Sequence, residues 1–117
     1  VVAVVDCGIV INPDTAKAQI EGGILFGLSA ALTEEITLKS GAVVQQNFHD
    51  YPLLRLSDAP AVEVEFITST APPGGLGEPG TPPIAAALVN AVFAATGMRV
   101  RALPLAASAA TLSAKSS

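Results

Sequence analysis

Residues 1–5, Val-Val-Ala-Val-Val, are an unbroken apolar run dominated by β-branched side chains, which predicts a buried strand. Asp6, Gly8, Asn12, Pro13 and Asp14 follow as a turn-prone stretch. Asn12 before Pro13 has the form of an N-cap before a first-turn proline, and Asp14 suits the positive end of a helix dipole. Ile20, Ile24, Leu28 and Leu32 then recur four apart, widened by Leu25 and Ala31, so a helix is expected to about Glu35. Its polar residues Lys17, Gln19 and Glu21 are confined to the first turns. Residues 36–38 and 42–44 flank Lys39-Ser40-Gly41 and read as a hairpin, with Gly41 at the position that most needs a positive φ.

Residues 45–51 are polar and aromatic without clear period, and Leu53, Leu54 and Leu56 suggest a short extended or helical piece ended by Ser57-Asp58-Ala59-Pro60. Residues 62–67 alternate apolar and acidic side chains, the pattern of a strand with one wet face. Residues 71–83 are rich in Pro and Gly, which describes a rigid, shaped loop and not a flexible linker. Thr81 stands where it can cap a second helix with Pro82 and Pro83 in its first turn. That helix carries no charge from Ile84 to Thr96, stops at Gly97 and is expected to be buried. Met98 to Leu103 read as a last strand, and residues 106–117 as a weakly ordered tail. The expected class is α+β, with two buried helices packed on a small mixed β-sheet.

Composition narrows the function classes. Half of the 117 residues are hydrophobic, 14% are charged and the net charge is −4, so a disordered chain is excluded and one compact domain is the upper limit. No run of Lys or Arg is present to follow nucleic acid or an anionic membrane surface; the uncharged run from Gly22 to Thr33 is far shorter than the roughly 20 residues of a membrane span, and the prolines at the start of the second helix argue against a span there. The single cysteine, Cys7, excludes an internal disulfide and any multi-cysteine zinc site, and reads as a buried inert thiol. A start inside a strand pattern without Met gives the expectation of a carboxyl-terminal piece of something longer.

Several residues are candidates for chemistry. Glu78 lies among Gly74, Gly75, Gly77, Pro79 and Gly80, just before a helix start, and is either an aimed general base or a carboxylate that merely caps that helix. The segment 75–80 also satisfies GxGxxG, but it is separated from the preceding strand and has an acid where a pyrophosphate would sit. The Gln19 amide can donate and accept to a heterocyclic edge, or be an ordinary surface side chain. Gly22, Gly23 and Gly27 each cost about 1 kcal/mol against Ala in a helix, so either a sheet packs tightly there or a ligand needs the room. His49 beside Asp50 lacks a nucleophile motif and reads as structural, and no cluster of metal-ligating side chains is evident.

Taken together, Val4-Val5-Asp6-Cys7-Gly8 with Asn12-Pro13, Gln19-Ile20-Glu21-Gly22-Gly23-Ile24 through Gly27-Leu28, and Gly75-Leu76-Gly77-Glu78-Pro79 before an Ala-rich helix resemble the carboxyl-terminal part of the molybdenum-binding large subunit of the xanthine dehydrogenase and aldehyde oxidase family. Asn47-Phe48-His49-Asp50-Tyr51 and Pro79-Gly80-Thr81-Pro82-Pro83-Ile84 resemble bacterial members such as the isoquinoline 1-oxidoreductase β subunit. The resemblance covers residues 1–105 as part of a larger molybdopterin-binding domain. It implies hydroxylation of an aldehyde or N-heterocycle with water as the oxygen source, with Glu78 as general base. It also implies that Gln19 hydrogen-bonds the pterin and that the Gly77 backbone lies near the cofactor. The implied cofactor is molybdopterin with molybdenum, in the cytosine dinucleotide form, held by no protein metal ligand. The implied partners are the remainder of the subunit, an iron-sulfur subunit and a small-molecule substrate. This chain alone is expected to bind no cofactor and to turn nothing over; as the other reading, it is a non-catalytic binding or assembly module.

Overall fold

The computed structural model describes residues 1–107, so most of the expected tail lies outside the described residues. In chain order the elements are β1 (Val2–Val5), α1 (Pro13–Leu32), β2 (Leu38–Lys39), β3 (Ala42–Val43), β4 (Glu63–Phe66) and α2 (Thr81–Thr96). The class is α+β, helices packed with a small sheet. The strands form two separate ladders instead of one mixed sheet: β1 pairs parallel with β4, and β2 pairs antiparallel with β3.

The β1–β4 register sets Val2 beside Glu63, Ala3 beside Val64, Val4 beside Glu65 and Val5 beside Phe66. Alternation then puts Ala3, Val5 and Val64 on the face packed against the core, and Val2, Val4, Glu63 and Glu65 on the other. The wet face expected for residues 62–67 is present. The burial expected for β1 is not, because Val2 and Val4 are 67% and 66% exposed. No second layer of the described residues covers that face, so an apolar run that reads as covered on both sides is covered on one.

α1 starts as expected: Asn12 is extended, and its side chain accepts the Thr15 N–H at 3.1 Å. It stops at Leu32, short of Glu35. The Thr33 N–H still bonds the Ser29 carbonyl at 3.1 Å, while its hydroxyl turns out to the Pro52 carbonyl at 2.8 Å. Ile20, Ile24 and Leu28 of α1 and Ile84 of α2 are the buried core. The hairpin forms with Ser40 and Gly41 at φ 51° and 80°.

α2 departs from expectation in three ways. Ile84 is its only buried residue among those described, so the helix lies against α1 along one face and leaves most of its alanines open. Its N-cap is Gly80 in helical geometry without a side-chain cap, and Thr81 is already inside the first turn. No strand follows it among the described residues: residues 98–103 are irregular, and Arg99 lies 4.0 Å over the Phe93 ring. Gly97 does end the helix, at φ 72°. No helix among the described residues is long and apolar enough to cross a membrane.

Candidate functional site

Helical spacing puts Gln19, Gly22, Gly23 and Phe26 on one side of α1. Opposite them stands the loop entering α2, with Gly77, Glu78, Thr81 and Pro82. Together with Ala18 these residues line an open groove of about 540 Å³. The three residues singled out from the sequence, Gln19, Gly77 and Glu78, therefore share one cavity although about half of the chain separates the first from the others. Gln19 and Glu78 are both exposed to it.

The glycines of α1 divide into two kinds. A Cβ at Gly27 would lie 2.6 Å from Ile84 Cγ2 and 2.7 Å from the Thr81 carbonyl oxygen, so this glycine admits the start of α2. At Gly23 the same test meets Thr81 Oγ1 at 3.4 Å. The close approach is thus helix on helix, not helix on sheet. Gly80 completes it from the other side, since its Cβ would lie 2.8 Å from the Ile20 carbonyl oxygen and 3.0 Å from the Ile24 nitrogen. Gly22 is different: a Cβ there meets nothing within 4 Å, and the same holds for Gly77. Neither has a positive φ. Both line the groove, so their missing side chains widen it and serve no packing among the described residues.

The loop is anchored at both ends. The Gly74 N–H donates to the Cys7 carbonyl at 2.8 Å and the Ile9 N–H to the Ala71 carbonyl at 3.0 Å, across Gly8 at φ 73°. A Cβ at Gly8 would fall 2.2 Å from the Pro72 carbonyl oxygen, so no other residue lets these strands of chain meet. At the far end the Thr81 N–H donates to the Glu78 carbonyl at 2.9 Å. No hydrogen bond or ion pair holds the Glu78 carboxylate among the described residues, so the capping alternative has no support. The dinucleotide alternative fails as well: Pro82 and Pro83 have no N–H, the Thr81 N–H is spent on Glu78, and the first turn of α2 is poor in free donors for a pyrophosphate.

Two further candidates are placed elsewhere. His49 is exposed, 3.8 Å from Asp50, and belongs to a turn in which the Asp50 carboxylate accepts the Gln46 and Asn47 N–H groups, both at 2.9 Å. Those bonds hold the Asp50 carboxyl below its ordinary range. Cys7 is buried and free, and acts through its carbonyl. A larger groove of about 650 Å³ lies between Leu25, Tyr51 and Leu56, where the Tyr51 hydroxyl donates to Glu34 Oε2 at 2.8 Å and the Leu54 N–H to Ser29 Oγ at 2.9 Å. Hydrogen bonding to Glu34, with some desolvation, raises the Tyr51 phenol above its ordinary range. Phe26, 71% exposed and on the wall of both grooves, was missed in the sequence, although its spacing of seven from Gln19 carries the signal. No group of His, Cys, Asp and Glu able to hold a metal ion occurs among the described residues.

The donor set suits a polar organic cofactor better than a bare ion: one amide that donates and accepts, one carboxylate, bare backbone at Gly77, and space kept at Gly22. Comparison with known proteins agrees. The family model described as molybdopterin cofactor-binding domain matches residues 1–60. The chain is 46% identical over 101 residues to the membrane-bound aldehyde dehydrogenase (pyrroloquinoline-quinone) of Gluconacetobacter polyoxogenes, covering 86% of this chain and 13% of the relative. It is 43% identical over 101 residues to the isoquinoline 1-oxidoreductase subunit beta of Brevundimonas diminuta, with the same two coverages, 86% and 13%. Quinoline 2-oxidoreductase from Pseudomonas putida 86 shares the fold with a TM-score of 0.71 at 30% identity, over 87% of this chain and 14% of that one. The chain thus spans about an eighth of the length of these curated relatives.

Proposed function

The chain belongs to the molybdopterin cofactor-binding domain family, and from that premise we propose that it forms one wall of the active site of a molybdenum hydroxylase, contributing the general base. The substrate class is an aldehyde or an N-heterocycle, the classes named in the two relatives. When bound, the cofactor supplies the redox chemistry and the centre at which oxygen is transferred. The chain's own residues do the rest. Glu78 accepts a proton from a water-derived oxygen nucleophile as that oxygen attacks the electron-poor carbon, and later releases it to solvent. Gln19 orients the cofactor through a paired donor and acceptor, and the bare backbone at Gly77 lets it come close. Electrons leave through an iron-sulfur partner subunit.

The observation that carries this reading is the shared groove, whose glycines at 22 and 77 keep open a space that none of the described residues fills. Glu78→Gln in the complete enzyme tests it. Loss of a positioned general base is expected to lower kcat by roughly 10²–10⁴-fold with the molybdenum content retained. Near-normal turnover would favour the other reading, a non-catalytic assembly module in which the loop is structural. The cofactor form proposed is the cytosine dinucleotide. Metal and nucleotide analysis of the purified complex checks it, and recovery of pyrroloquinoline quinone, the cofactor in one relative's name, in place of molybdenum overturns it.

A further inference from the structure

Glu78 has to point into the groove with nothing holding its carboxylate, so its aim is inherited from the backbone that carries it. That backbone is tied to α1, the helix bearing Gln19, by a single side chain. The Thr81 hydroxyl donates to the Gly23 carbonyl at 3.0 Å, one helical turn from Gln19, while the Thr81 N–H holds the Glu78 carbonyl at 2.9 Å. Among the described residues no other side chain hydrogen-bonds across this helix pair. Pro82 and Pro83 have no N–H to offer, and the neighbouring contacts at Gly27 and Gly80 are steric: they limit how close the helices come without fixing how one slides along the other. The hydroxyl is part-buried, so the bond is shielded from water that would compete for it.

From this we infer that Thr81 is a positioning residue: its hydroxyl locks the register between the Glu78 peptide and the Gln19 helix, and so sets the distance between the base and whatever Gln19 orients. The inference rests on the reading of Glu78 as the base. Threonine fits the task because its methyl and hydroxyl do different jobs. Cγ2 packs toward Gly27, where a Cβ would lie 3.2 Å from it, and Oγ1 reaches Gly23. Valine keeps the shape and removes the bond, and serine does the reverse. Thr33 supplies an internal control. It also hands its hydroxyl to a carbonyl of another segment, Pro52 at 2.8 Å, but at the end of α1 away from the groove.

The experiment uses the complete enzyme carrying Thr81→Val, Thr81→Ser or Thr33→Val, with turnover expressed per bound molybdenum and amide exchange followed across residues 74–81. A displacement of the base by a fraction of an ångström to one ångström is expected to lower kcat about 10–100-fold in Thr81→Val, with KM and molybdenum content within twofold of the parent. Amide exchange at Thr81, whose N–H is held by the Glu78 carbonyl, is expected to quicken at least tenfold in the same variant. Thr81→Ser should restore both, and Thr33→Val should change neither. Parent-like kcat and exchange in Thr81→Val overturn the inference, as does an equal loss in Thr33→Val. Should valine prevent folding, Thr81→Ala removes the hydroxyl without added bulk and is read by the same two measurements. If Glu78→Gln retains turnover the base assignment falls by itself, and the exchange data still decide whether Thr81 sets the loop.

Discussion

α1 serves two neighbours, and its two halves hold them by different means. The half around Ile20 to Gly27 receives the start of α2 through missing side chains: Gly23, Gly27 and, from the partner segment, Gly80 let backbone meet backbone. The half from Ser29 onward holds residues 51–54 through polar groups: Ser29 Oγ takes the Leu54 N–H at 2.9 Å, Thr33 gives its hydroxyl to Pro52, and Glu34 takes the Tyr51 hydroxyl at 2.8 Å. A steric contact tolerates no added atom but is indifferent to proton activity. A polar contact tolerates small changes of shape but fails when a partner is removed or titrated.

The first way to break this contrast is to add atoms to the glycine half. Gly27→Val forces side-chain bulk against Ile84 and the Thr81 carbonyl, and is expected to destabilise the intact protein by about 3 kcal/mol in a denaturant titration. In the same helix Gly22→Ala meets nothing and should stabilise by about 0.5–1 kcal/mol. If both behave alike, the two kinds of glycine are not two kinds. The polar half is tested by Ser29→Ala, which leaves the Leu54 N–H without its acceptor at a part-buried position and should cost about 1–2 kcal/mol. A neutral result would mean that water replaces the hydroxyl.

The smallest effect sharpens the comparison through pH. The Asp50 carboxyl is held below the ordinary carboxyl range by the Asn47 and Gln46 N–H groups, so its contribution is complete above that range and is lost as pH falls through the lower folded value. Amide exchange at Gln46 and Asn47 should therefore quicken in acid well before exchange at Gly23 and Gly27 does. Simultaneous loosening of both regions would show that the turn and the helix crossing open as one unit.

What could be read in the sequence is what short-range chemistry decides. The Asn12 cap, the positive φ at Gly41 and Gly97 and the wet face of residues 62–67 each follow from one residue and its near neighbours. Glu78 is legible in the same way, because a carboxylate between glycines and prolines is conspicuous wherever it lies, whereas Gly77 is singled out by the family resemblance alone and Gln19 reads as an ordinary surface side chain until that resemblance assigns it. Misreadings came where a residue's partner is remote. The sequence reads β1 as a buried strand, α2 as buried, Thr81 as able to cap and Met98 to Leu103 as a strand; each depends on which distant surface competes for the group, and an apolar run carries no record of that. Only the tertiary structure decided that Gly22 opens on a groove while Gly27 is filled, and that the Thr81 hydroxyl turns across to Gly23. Local geometry is set by sterics within a few residues, whereas the destination of a buried hydroxyl or a missing Cβ is set by whatever the rest of the chain brings up against it.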